Sequence, residues 1–169
     1  MSNFKVSIQA YENWLRGRLG ADLVEADLAE KHRRMRKSAM AFLRGSCWRW
    51  AQTAAQICPE AAASPVVLAV GDAHIENFGL WRDREARLVW GVNDFDEAAR
   101  TASAFDLVRL TASAILAADE GKGPTAEAAA AAILAGYAQG LQTPRPFILE
   151  NDHAWLDDLV RPSEKTRHA

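Results

Sequence analysis

Cysteine is scarce in this chain. Cys47 and Cys58 are the only two in 169 residues, eleven positions apart, with no CxxC and no matching histidine pair. That excludes a disulfide framework and a cysteine-type zinc site, and free thiols fit a reducing cytoplasm. Apolar runs of spanning length are also missing, the alanine-rich stretch Ala126–Ala132 being too weakly hydrophobic, and residues 1–10 hold no leader-like apolar segment. The expectation is a soluble, cytoplasmic chain without a membrane partner. Neither charge sign dominates, with 20 basic against 22 acidic residues. The basic run Lys31, Arg33, Arg34, Arg36 and Lys37 puts Lys31, Arg34 and Lys37 on one helix face, which reads as a solvated or phosphate-facing patch; a nucleic-acid partner is not expected. No internal repeat is present.

What is there suits one ordinary α+β domain over residues 1–169, with 49% hydrophobic and 25% charged residues. Residues 1–60 read as a helical N-terminal region. Ile8, Tyr11, Leu15 and Leu19 recur at helical spacing between a capping Ser7 and a stopping Gly20. A second helix covers Asp22–Lys37 and a third covers Ala39–Ile57, broken near Gly45-Ser46 and ended by Pro59. Phe42, Trp48 and Trp50 read as core or as a partner face rather than a base-stacking platform, since only Arg44 and Arg49 interleave with them. In residues 65–141 the texture changes. Pro65–Val70 reads as a buried strand; Phe78–Trp81 and Arg87–Val92 read as a hairpin joined by a polar turn, with Trp81 and Trp90 as a cross-strand pair. A loop to Ser103, a helix through Phe105–Ile115, and an alanine-rich helix capped by Thr125 and closed by Gly140 follow. Residues 142–169 read as a weakly structured tail.

Two strings carry the chemistry: Gly71-Asp72-Ala73-His74-Ile75-Glu76-Asn77-Phe78-Gly79 and Asn93-Asp94-Phe95-Asp96, each following a strand. Loops after strands present oxygen ligands and bases well. With Asp72 and Asn77 five apart, one loop can aim a carboxylate at an incoming hydroxyl while the carboxamide oxygen binds a metal. Asp94 can bind the same metal from the other side, and Mg²⁺ needs only one or two protein oxygens beside phosphate and water. Asp96 and Glu97 stand next to it as further ligands, or Asp96 caps the following loop. His74 reads as a structural hydrogen-bond donor in its loop, Asp106 as a buried brace for the Asp72 loop, and Arg109 as a structural ion-pair partner.

Gly71, Asp72, His74 and Asn77 match the Gly-Asp-x-His-x-x-Asn loop of the aminoglycoside and choline phosphotransferase branch of the protein-kinase-like fold. Asp94-Phe95, followed twelve residues on by Asp106-Leu107, is similar to that branch's second motif. The resemblance implies a kinase-like large-lobe architecture, mostly helical around a small β hairpin. It implies Asp72 as catalytic base, Asn77 and Asp94 as Mg²⁺ ligands, Asp106 as a brace, and ATP as the nucleotide. Four blocks extend the likeness: Met35–Gly45, Gly71–Gly79, Asn93–Glu97 and Phe105–Ser113 resemble the bacterial domain-of-unknown-function family 2252. Members of that family are typically longer, so the resemblance implies a short or partial representative.

The chain departs from the kinase pattern at Val70, where many kinases carry a histidine. It also has no Gly-rich phosphate loop and no strand lysine in the first sixty residues. Arg44 or Lys37 would then act as the phosphate clamp. The expected activity is a Mg²⁺-dependent phosphotransferase of small-molecule kinase type, acting on a nucleotide and an acceptor, with the acceptor and the oligomeric state open. The alternative is a catalytically degenerate kinase-like binding or regulatory module. A two-metal phosphoesterase ranks third, because only His32, His153 and His168 accompany His74 and no Gly-Asn-His string exists.

Overall fold

The computed structural model describes residues 3–118, 124–152 and 155. The chain starts with helices. α1 (Phe4–Leu19) is capped by the Asn3 side chain, which accepts from Lys5 N, and it stops at Gly20 in a positive-φ conformation. Ser7, expected as the cap, lies inside the helix instead: it is buried, and its hydroxyl donates to the Gln52 side chain. After one 3₁₀ turn comes α2 (Glu25–Met35), with acidic residues in its first turn and His32, Arg33 and Arg34 in its last, both complementing the helix dipole. α3 (Ala39–Gly45) begins at Ser38, whose oxygen accepts from Ala41 N at 3.1 Å. α4 (Cys47–Ile57) follows, and Pro59 opens the single-turn α5 (Pro59–Ala62). α1 packs on α4 and α2 on α3.

Two small antiparallel sheets come next. β1 (Val66–Ala69) pairs with β4 (Ala99–Ala102), and β2 (Phe78–Arg82), β3 (Leu88–Val92) and β5 (Phe147–Ile148) form the second sheet in the order β2-β3-β5. Three expectations are corrected here. β1 is a strand but not a buried one: Leu68 is 74% exposed and only Ala69 is buried. A continuous apolar run is the mark of a strand covered on both faces, and β1 has a single partner. That partner, β4, falls where a loop was expected. Trp81 and Trp90 are not opposite one another, because Trp81 faces Val89 and Trp90 faces Leu80, which puts the two indoles on opposite faces of the sheet. Trp81 instead lies over Gly91, where a Cβ would meet the indole at 2.8 Å.

α6 (Ala104–Ala117) and α7 (Ala126–Gln142) pack together, and Thr125 caps α7 as expected, accepting from Ala128 N. α7 runs two residues past Gly140, the expected stop. The tail is more ordered than expected where it is described. Phe147 and Ile148 extend the hairpin sheet, and Leu149, opening the short α8 (Leu149–Asp152), is fully buried. The rest of the expected tail, residues 153–154 and 156–169, lies outside the described residues.

Among the described residues alanines make up five of the nine buried apolar ones, so elements meet through short side chains and not through one large apolar core. Four of the seven buried polar residues among the described ones cluster together: His74, Asn77, Arg109 and Ser113 surround the loop after β1. Buried polar groups must be satisfied, and here that requirement shapes a loop. Among the described residues no helix is long and apolar enough to cross a membrane.

Candidate functional site

One face of α6 builds the Asp72 loop. Asp106, Arg109 and Ser113 follow the i, i+3, i+7 spacing that aligns side chains along a helix. The Asp106 carboxylate accepts from Val70 N at 2.7 Å and from Gly71 N at 3.0 Å. Arg109, 4% exposed, donates from Nε to Asp72 Oδ1 at 2.7 Å, with a second guanidinium nitrogen on the same oxygen, and reaches Leu43 O at the end of α3 at 2.8 Å. Ser113 Oγ accepts from Ile75 N at 3.0 Å and donates to Leu110 O.

Asn77 joins this loop to the second acidic segment. Its Oδ1 accepts from Asp94 N at 2.9 Å, while its Nδ2 donates to Asp94 O at 3.0 Å and to Asp72 O at 3.3 Å. The side chain expected as a metal ligand is therefore committed to backbone at both ends, with one lone pair of Oδ1 left over. Gly71 makes the approach feasible from the other side: its φ is +86°, and a Cβ there would run into the Glu97 carbonyl oxygen. Any other residue meets both strain and a backbone clash.

Asp72, His74, Asp94 and Glu97 line one open cleft of about 500 Å³, with Lys31 and Arg44 on its other wall. Asp94 Oδ1 accepts from Asp96 N at 3.0 Å, and Oδ2 accepts from no group among the described residues. A neighbouring cavity of about 380 Å³ is walled by Tyr11, Trp14, Trp48, Trp50 and Phe105. Lys31, Arg44, Gly45 and Glu97 line both spaces, so the two adjoin. Burial pushes the Glu97 carboxyl above the usual carboxylate range, and Asp72, Asp94 and Asp96 push it the same way. Lys31 is lowered by burial against the pull of Glu12 and Glu97. Burial also lowers His74, with Asp72 opposing the shift and Arg44 and Arg109 adding to it. Cys47 is raised to about 11, chiefly by burial, which leaves it an unreactive thiol near neutral pH.

Other expected site residues lie elsewhere. Asp96 faces the aromatic cavity rather than the cleft. Arg44 borders both spaces and is paired with Glu76 at 2.8 Å. Lys37 lines neither, because α2 ends at Met35 and Lys37 has left the face that carries Lys31. His74 does not donate within its loop: its Nε2 is 3.7 Å from Asp72 Oδ2, and its Nδ1 is buried without a partner. Lys31, read only as one member of the basic run, borders the cleft. It follows the buried Leu28 by three residues and so shares the inner face of α2, a signal the spacing carried. Trp48 and Trp50, expected as core or as a partner face, wall a cavity, and the ring partners of Trp48, Tyr11 and Trp14, come from a helix more than thirty residues earlier. Among the described residues no three His, Cys, Asp or Glu side chains gather closely enough to hold a metal ion.

No curated protein and no solved structure matches the chain significantly. One protein family does, described as an uncharacterized protein conserved in bacteria (DUF2252), over residues 23–155. That match takes in α2, both acidic segments, the Asn77 clamp and the α6 face that anchors them, and leaves out α1 with its aromatic wall. Spanning well over half of the sequence, it establishes that the chain belongs to the DUF2252 family.

Proposed function

We propose that this chain is a Mg²⁺-dependent phosphotransferase of small-molecule kinase type, built on an architecture similar to the large lobe of kinase-like enzymes. It transfers the terminal phosphoryl group of a nucleoside triphosphate such as ATP to a hydroxyl acceptor. One observation carries this reading: a buried carboxamide ties two acidic segments together so that Asp72 and Asp94 open on one cleft.

The donor set suits Mg²⁺. It consists of oxygens, it is small, and Mg²⁺ takes most of its shell from phosphate and water rather than from an all-protein cage. Asp94, through Oδ2, and the remaining lone pair of Asn77 Oδ1 would hold the ion, which neutralises charge on the phosphoryl oxygens when bound. Asp72, fixed through Oδ1 by Arg109, would take the acceptor's hydroxyl proton on Oδ2. Arg44, beside the cleft, would face the phosphates.

A second reading, a catalytically degenerate binding or regulatory module, draws on the same ion pair: two Arg109 nitrogens already occupy one oxygen of Asp72. Calorimetry with Mg²⁺–ATP, together with a phosphate-release assay, separates the two. Catalysis predicts that Asp72→Asn lowers turnover roughly a hundred- to ten-thousand-fold with nucleotide affinity little changed. Asp94→Asn should weaken Mg²⁺–ATP binding itself, since a neutral oxygen replaces an anionic ligand. A wild type that binds nucleotide but turns over none with any hydroxyl acceptor favours the module. A wild type that does neither removes the phosphotransferase reading.

A further inference from the structure

Resting on the nucleotide reading above, we infer that the aromatic cavity formed by α1, α4 and α6 is the seat of the nucleotide's flat base, and that Lys31 and Arg44 hand the phosphate chain from there to the Asp72–Asp94 cleft. The base site would thus be made by helices, in a chain whose first sixty residues hold no Gly-rich loop and no strand lysine.

Three observations converge. The first is the wall. Tyr11, Trp14 and Trp48 form a continuous cluster, with centroid separations of 5.1 Å for Tyr11–Trp48, 5.5 Å for Trp14–Trp48 and 6.1 Å for Tyr11–Trp14. Trp50 and Phe105 meet edge-on at 5.8 Å on the same cavity. Flat rings are the surface on which heteroaromatic bases stack, and about 380 Å³ falls in the size range of small-ligand pockets. The second is an unmet donor. Trp48 Nε1 is buried with no hydrogen-bond partner, and a buried indole N–H without an acceptor is costly, so this wall gains if it shifts to bring one within reach.

The third is order in space. Going from the rings toward the acidic cleft, the two spaces share Lys31, Arg44 and Glu97. An apolar flat-walled end, then two cations beside one carboxyl, then the Asp72 and Asp94 carboxylates, follows the order base, phosphates, metal. Asp96, on the aromatic side, is placed to accept from sugar hydroxyls. Lys31 Nζ lies over the Tyr11 ring, 4.7 Å from its centroid, and already occupies that ring face.

The test is calorimetric titration of the full chain with a non-hydrolysable ATP analogue and, separately, with inorganic triphosphate, both with Mg²⁺. It compares wild type, Trp14→Ala, Trp48→Leu, Lys31→Met and Asp94→Asn. Trp14 is 45% exposed, so its truncation leaves the fold intact even if Trp48→Leu does not. The expected result is that each tryptophan variant binds the analogue about ten-fold more weakly, the scale of one lost stacking contact, with triphosphate binding unchanged. Lys31→Met should weaken both ligands alike. Analogue binding that Asp94→Asn weakens and both tryptophan variants leave intact would overturn the aromatic seat while sparing the nucleotide reading. Equal wild-type affinity for triphosphate and analogue would do the same. A wild type that binds neither ligand overturns both.

Discussion

The Gly71–Asn77 loop and the Asp94–Glu97 turn lie side by side but are held in opposite ways. The first is anchored from outside, with three α6 side chains gripping its backbone and its central carboxylate. The second is anchored mostly from within, by Asp94 Oδ1 accepting from Asp96 N, with Asn77 as its main tie to the rest of the molecule. Asp72 is accordingly almost enclosed, and Asp94 is exposed. The pairing suits a division of labour in which one carboxylate keeps a fixed direction and the other yields to whatever binds. Preorganised groups lose least on binding, while exposed ones exchange water for a ligand most easily.

The sharpest way to break this contrast is to release the enclosed side. Arg109→Met leaves Asp72 as a nearly buried carboxylate without its partner, and urea unfolding should show a loss of about 3 kcal/mol. Asp72→Asn in the same background should recover part of that loss, since no unpaired charge is then left behind. A middle-sized effect comes from cutting the tie between the two segments. Asn77→Ala removes one acceptor and two donors from a buried site and should cost roughly 1–3 kcal/mol. Hydrogen exchange should then speed up at the Asp94 amide while the Val70 and Gly71 amides, held by Asp106, keep their protection. Equal acceleration at all three would mean that the loops do not have separate anchors.

The smallest effect is electrostatic. Glu97 is raised by burial and by three neighbouring carboxylates. Its contribution to stability is therefore complete below the ordinary glutamate range and lost as pH climbs through its elevated folded-state value. Glu97→Gln should have nearly the same unfolding midpoint as wild type below about pH 4 and a slightly higher one at neutral pH. Adding Mg²⁺ should narrow that neutral-pH gap, because a cation in the cleft offsets the same repulsion.

Local signals in the sequence expose most of this fold. Helical spacing marks α1 to α4, α6 and α7, and the polar turn from Arg82 to Arg87 marks the β2–β3 hairpin. β4 stayed hidden because Ala99-Arg100-Thr101-Ala102 has no alternation, and its pairing with β1 is a tertiary fact. The exposure of Val66 and Leu68 escaped for a related reason, since an apolar run says nothing about whether anything covers it. At the candidate site, the two acidic strings stand out by their place after strands. The claims of Arg109 on Asp72 and of Asn77 on Asp94 do not, because both are long-range hydrogen bonds that local spacing does not register. Lys31 and Lys37 differ only in where α2 stops, and helix ends are the least certain feature of any sequence reading.

The grip of α6 has a consequence for how the sequence can vary. Asp106, Arg109 and Ser113 meet residues 70–71, 72 and 75 in matching order along helix and loop. The loop is thus copied off the helix like type from a forme, and the copy depends on residue count as much as residue identity. A single insertion between Asp106 and Ser113 would turn the later anchors by about 100° and scramble the match even if every side chain were kept. Point substitutions at 107, 110 and 111 meet no such limit from these bonds. The stretch from Asp106 to Ser113 should therefore be free in spelling at those positions but fixed in length.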